Sequence, residues 1–204
     1  MPELFSIQEA AAIGEVSPDT IRTALEKKSI TSSSRRRTGK SVRHEFSVRD
    51  ILLLKMLTEF PFPLAKHDKT ALRDILVRGA SRAKHWCADG PDLVFDSGKM
   101  KVLVQCKDMR TRLAHNLAAF RWGKRRIASS PEVLNGEPVF QGTRIPLEHV
   151  AGLYRKGVSE QEIAEDFPAL SPRDLACAQI YSRMGAAPGR PKKPVKIRRK
   201  ARAA

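Results

Sequence analysis

Val139-Phe140-Gln141-Gly142-Thr143-Arg144-Ile145-Pro146 is the stretch whose reading decides how the carboxy-terminal part folds. Ser130-Pro131-Glu132-Val133-Leu134-Asn135-Gly136-Glu137-Pro138 leads into it and is rich in turn formers. Leu147, Val150, Leu153 and Tyr154 then follow at helical spacing, and Gly157 supplies a stop. Ser159 with Glu162, and Ser171 with Asp174, have the spacing of capping boxes, and Pro172 suits a first helical position. The pattern predicts three helices, the last two joined by Pro168-Ala169-Leu170 as a helix-turn-helix.

Over residues 126–184 the order of motifs resembles the domain-of-unknown-function family 433. The matching positions are Gly136, Pro138, Gly142, Thr143, Arg144, Ile145 and Pro146, with a closing Ala178-x-x-Tyr181. Glu137 stands where the family often has a second glycine. The resemblance implies a small dimeric antitoxin of the VapB type. Such a protein neutralises a PIN-like ribonuclease toxin and represses its own promoter, with no catalysis and no cofactor of its own.

Residues 1–60 have a different plan. Ser6 and Glu9 are spaced to box a first helix carrying Ile7, Ala10 and Ala11, with Gly14 as its stop. Ser17 and Pro18 open a second helix. Two short strands, 30–37 and 41–46, flank a basic tip at Thr38-Gly39-Lys40. Ser47 and Asp50 then start a third helix that buries Ile51, Leu52, Leu54 and Leu57. Helix, turn, helix, basic wing and a Phe46-Ser47-x-x-Asp50 helix together resemble a MerR-like winged helix-turn-helix. On that reading Ser17, Thr20, Arg22, Thr23, Lys27, Arg35, Arg36, Arg37, Lys40 and Arg43 bind DNA, with Thr20, Arg22 and Thr23 reading a groove and Arg35, Arg36, Arg37 and Arg43 holding phosphates.

Residues 61–125 read as a connector. Pro61-Phe62-Pro63 breaks the chain, a helix covers 70–78, and strands at 93–95 and 102–104 form a hairpin around Asp96-Ser97-Gly98-Lys99. A helix covers 108–122. Two chemical patterns fall here. Pro91-Asp92 followed by Gln105-Cys106-Lys107 resembles a PD-(D/E)xK nuclease motif, with Asp92 set opposite Leu103 and Lys107 on the second strand near Mg²⁺. His85, Cys87, Cys106 and His115 are candidate zinc ligands without the tight spacing of a structural site.

Composition bounds the rest. The 204 residues carry 38 Lys+Arg against 22 Asp+Glu, a formal charge of +16, and 41% are hydrophobic. That is enough apolar content for packed cores, and the cationic excess points to a nucleic-acid partner. No apolar run is long enough to span a bilayer, Met1-Pro2-Glu3-Leu4 does not read as a signal peptide, and the odd cysteine count suits a reducing cytoplasm. Residues 185–204 read as a disordered basic tail, with Arg190, Lys192, Lys193, Arg198 and Arg199 as candidate toxin contacts. The expected architecture is mainly α: winged helix-turn-helix (1–60), central α+β hairpin region (61–125), three-helix domain (126–184) and tail (185–204).

Overall fold

Serine caps set most of the helix starts. Ser6, Ser17, Ser47, Ser159 and Ser171 each accept the backbone N–H three residues on. Glu9, Asp50, Glu162 and Asp174 return a carboxylate to the cap backbone, completing four boxes. A computed structural model describes residues 3–38, 41–60 and 64–185; at 36–38 and 41 it describes the backbone alone. Within these lie eight α-helices: α1 (Ile7–Gly14), α2 (Pro18–Glu26), α3 (Val48–Glu59), α4 (Lys66–Leu76), α5 (Lys107–Arg126), α6 (Leu147–Arg155), α7 (Glu160–Asp166) and α8 (Pro172–Arg183). The strands form three small antiparallel sheets. β1 (Ser34–Thr38) pairs with β2 (Ser41–Glu45). β3 (Arg82–Ala83), β4 (Trp86–Asp89), β5 (Asp92–Asp96) and β6 (Lys101–Val104) make a meander in chain order, and β7 (Ile127–Ala128) pairs with β8 (Val139–Phe140).

The α3 sequence is apolar on every side, so it is a core helix. Ile51, Leu52, Leu53, Leu54 and Met56 are all buried, enclosed by α1, α4 and α5; Leu57, expected inside, is half-buried. One charge sits in the same run. The Lys55 side chain is 2% exposed, and its Nζ lies 2.8 Å from Glu15 and 3.0 Å from Glu59 and donates to the Gly14 carbonyl at 3.2 Å. Arg112 of α5 pairs with Glu59 at 3.1 Å, and Arg183 of α8 with Glu15 at 3.2 Å. The result is an alternating chain of charges across four elements. Burial by itself raises the Glu15 carboxyl; hydrogen bonds from Lys55 and Asn116 and the Lys55 and Arg183 charges outweigh it and hold the group below the usual carboxylate range.

Gly14 does not terminate α1 through a left-handed conformation. That role falls to Glu15, at φ 55°. Gly14 is needed for close packing instead: a Cβ there would stand 2.9 Å from Ile51 Cγ2.

The central region holds four strands where the pattern predicts two. Trp86 is the reason for the extra pair. It is 1% exposed, packs on Phe95 at 5.1 Å and Phe60 at 5.7 Å between ring centroids, and donates from Nε1 to Asp68 of α4 at 3.0 Å. The β3–β4 turn places Lys84 at φ 52°, a position that usually announces itself with glycine.

α5 is the spine. Its 20 residues run past the 125/126 boundary, and its longest helix contact is with α8. The two approach closely at Gly123, where a Cβ would lie 2.4 Å from Cys177 Sγ and 3.1 Å from Tyr181 Cε2. α8 serves two cores: Ile180 joins the one built on α3, while Leu175, Cys177 and Ala178 join Phe140, Leu147, Val150 and Ile163 in the second. Asp174, fully buried, accepts from Trp122 Nε1 at 2.9 Å and from Arg126 Nε at 3.0 Å while boxing Ser171. Its burial raises the carboxyl, and the bonds from Trp122, Ser171 and Arg126 together bring it below the ordinary aspartate value.

Gly123→Ala tests the α5–α8 approach. It is expected to destabilise by about 1–3 kcal/mol through overpacking. The loss should be partly recovered in Gly123→Ala/Cys177→Ala, as read by urea denaturation in a double-mutant cycle. Strict additivity of the two substitutions would contradict the contact.

Candidate functional site

α2 and α8 are the second helices of the two helix-turn-helix units expected from the sequence, and their burial separates them. α8 exposes only Pro172 and Arg173; along the rest of the helix every side chain is buried or half-buried against α5 and α6. Arg173 itself lies over the Trp122 ring at 5.4 Å. α2 is the opposite case. Ile21 is its one buried residue, and Asp19, Arg22, Thr23 and Glu26 are exposed, with Lys27 exposed at the cap. A helix with one anchoring side and a long open face is available to enter a groove; a helix packed on two sides is not.

The open face of α2 has its own internal bonding. Ser17 accepts from the Thr20 backbone at 3.0 Å, and the two hydroxyls lie 2.8 Å apart, so both help to start the helix. Arg22 pairs with Asp19 on the surface. Thr23 and Lys27 carry no side-chain partner in the described structure and are exposed. A groove of 390 Å³ runs beside Ser17, Thr20, Thr23 and Lys27, walled by Leu54 and Thr58 of α3 and Lys69 of α4.

The ribbon β1–β2 is held at its root. Asp50 accepts from the Ser47 hydroxyl and backbone, both at 2.8 Å, and from the Ser33 hydroxyl just before β1. Ser32 Oγ lies 2.9 Å from His44 Nδ1, and Phe46, just past β2, exchanges backbone bonds with Phe5 at 2.8 and 2.9 Å. The register sets Arg35 opposite His44, Arg36 opposite Arg43 and Arg37 opposite Val42. Arg35 and Arg43 are exposed. Lys40 lies outside the described residues, as do Arg190, Lys192, Lys193, Arg198 and Arg199. The expected cationic ribbon is therefore present as a backbone frame, anchored to α3 by one carboxylate.

Most of the family-motif residues shape the turns on either side of β8. Gly142, at φ 79°, occupies the third position of a turn closed by Thr143 N–H on the Phe140 carbonyl at 2.9 Å. Thr143 Oγ1 donates to that carbonyl at 2.8 Å and accepts from the Ile145 N–H at 3.1 Å. Val139 bridges to Pro146, and Leu147 N–H reaches the Pro138 carbonyl at 2.9 Å. Gly136, at φ 85°, ends the 3-10 turn (Leu134–Gly136). Arg126 Nη1 donates to the Gln141 carbonyl at 2.6 Å, tying the turn to α5. Arg144 is left exposed at the turn.

The chemical patterns of the middle region fare differently from their expected geometry. Val94, not Asp92, stands opposite Leu103, and β6 ends at Val104. Cys106 is the N-cap of α5 and Lys107 its first residue, so Lys107 lies on a helix instead of a strand. The Asp92 carboxylate accepts the Cys106 N–H at 2.7 Å, a helix-start bond. Among the described residues no three His, Cys, Asp or Glu side chains gather to hold a metal ion. His85 Nδ1 faces the Asp96 carbonyl and Cys106 Sγ the Val104 carbonyl. Among the described residues no helix is long and apolar enough to cross a membrane.

The sequence expectations leave the polar side of α4 out of the candidate surface. Lys66, Lys69 and Arg73 recur at helical spacing on its polar side, opposite the buried Ala71, Leu72, Ile75 and Leu76. That spacing is legible in the sequence, within the segment read as a connector.

Residues 127–182 match the family described as Protein of unknown function (DUF433), which bears out the resemblance over that segment. The chain is also similar to "Uncharacterized protein y4eO" of Sinorhizobium fredii (strain NBRC 101917 / NGR234), 36% identical over 64 residues. That match covers 31% of this chain and 29% of the relative, so the likeness spans less than a third of either protein. No solved structure matches the chain.

The thiols provide a check on the site's chemistry. Cys177 is buried and its thiol is pushed up to about 12 by burial and then by the Asp174 charge; burial also raises buried Cys106. Of the three free cysteines only half-buried Cys87 is expected to react with a disulfide reagent in native buffer, and all three in denaturant. Rapid native labelling of Cys177 would contradict the α5–α8 packing.

Proposed function

We propose that this protein is a DNA-binding repressor of the antitoxin type. The observation that carries the DNA half is the pairing of an open α2 face with an arginine ribbon pinned to α3 through Asp50. α2 enters the major groove with Thr20, Arg22 and Thr23 toward the bases. Lys27, Arg35, Arg36, Arg37, Lys40 and Arg43 neutralise flanking phosphates. The +16 charge supports a large electrostatic share in binding.

The family segment, residues 127–182, supplies dimerisation, so that two copies read a pseudo-palindromic operator in the protein's own promoter. The basic residues Arg190, Lys192, Lys193, Arg198 and Arg199 engage the acidic metal site of a PIN-like ribonuclease toxin. This half rests on the family resemblance. A regulator without a toxin shares the DNA half and differs only in lacking that partner.

Binding to DNA from the protein's own upstream region, with Mg²⁺ present, tests the reading. A salt-sensitive gel shift with intact DNA is expected. Replacing Arg35, Arg36 and Arg37 with Ala should lower the salt slope by about 3, at roughly 0.9 per phosphate contact. An unchanged slope contradicts the ribbon's role, and cut DNA contradicts the repressor reading. Loss of ribonuclease activity in a stable complex, relieved by deleting 185–204, is expected of the antitoxin; absence of any such complex leaves the plain regulator.

A further inference from the structure

A second cleft opens between the end of α2 and the polar side of α4. Its volume is 180 Å³, and five cations line it: Lys27, Lys28, Lys66, Lys69 and Arg73. Ser29 and Thr70 add hydroxyls, and no carboxylate contributes. Glu26, the residue before Lys27, is exposed and outside the lining, and the other nearby acids are directed elsewhere. Asp68 accepts from Trp86 and faces His67, Asp74 holds Arg78, and Asp19 holds Arg22. Lys27, Lys28, Lys66 and Lys69 have no ion pair in the described structure, although carboxylates elsewhere find Arg112, Arg121 and Arg155.

Like charges gathered on one cleft repel unless an anion joins them. The chemistry here is specific for one kind of anion. Arg73 is half-buried, and its guanidinium is oriented by a bond to the Thr31 hydroxyl, at the root of the ribbon. An oriented guanidinium with flexible ammonium groups around it suits the tetrahedral oxygens of phosphate. The lining holds no aromatic ring, so nothing there would stack a base; the cleft suits backbone, not a nucleotide's base. It also shares Lys27, Ser29 and Lys69 with the groove beside α2, so one strand can pass from one to the other.

We infer that this cleft is a phosphate clamp for the nucleic-acid backbone, and that α4 anchors bound DNA alongside the ribbon. The inference rests on the DNA-binding reading above and extends it to a segment that the reading does not use. The clamp acts on any sequence, because it touches phosphate alone.

The test uses the full chain with Lys66→Gln/Lys69→Gln, which leaves Arg73 and its bond to Thr31 in place. Affinity for a duplex is followed by fluorescence anisotropy over a salt series. Two lost contacts should lower the slope of log affinity against log salt by about 2, equally on operator and unrelated duplexes. Lys66→Arg/Lys69→Arg should keep the parent slope. A slope unchanged in the glutamine variant, while the parent binds, overturns the clamp and leaves the DNA reading intact. A slope lost equally in the arginine variant assigns the effect to altered structure and also overturns the clamp. Failure of the parent to bind any duplex overturns both.

Discussion

One buried carboxylate carries much of this structure. Asp174 closes the cap of α8 and at the same time receives Trp122 and Arg126 from the last turns of α5. An unpaired charge at such a site would be costly, so α8 must dock where those donors are. Arg126 then reaches the Gln141 carbonyl, and the turn around Gly142 is fixed relative to the same helix. Once α8 lies on α5, its sides are spent on two cores. α2, by contrast, buries Ile21 alone and keeps an open face.

The amino-terminal part is organised by charges in the same way. Lys55, in the middle of an apolar run, is tolerable only because Glu15, Glu59 and the Gly14 carbonyl surround its ammonium. Arg112 and Arg183 carry the same network into α5 and α8. Asp50 plays the local counterpart, joining the start of α3 to the root of the ribbon. Fold and proposed function meet here: the groups that hold the cores together also set where the cationic surfaces point.

Capping boxes made the helix starts legible, because a serine and an acid three residues apart satisfy each other locally. Gly142 and Gly157 were legible as turns for a similar local reason. Long-range features were not. β3 and β4 are two and four residues long and bury only Trp86, so they are too short to show an alternating pattern. Their turn uses Lys84 at positive φ, without the glycine that marks such hairpins. Asp92 and Lys107 resembled a catalytic pair only while the chain was assumed to stay extended beyond Val104; α5 starts there instead. Lys55 and Asp174 each have one local partner, Glu59 and Ser171, but their other partners, Glu15 and Trp122 with Arg126, are far away in sequence, and no local spacing reveals those.

Through α5, Asp174 couples the family segment to the amino-terminal core. Peptide-resolved hydrogen exchange on Asp174→Asn reads that coupling. The variant should be weakened by about 2 kcal/mol, the scale of losing hydrogen bonds to a charged group. Protection should fall together in α6, α8, α5 and α3, since the elements open as a unit. A loss confined to residues 127–182, with α3 and α5 protected as before, would contradict the coupling.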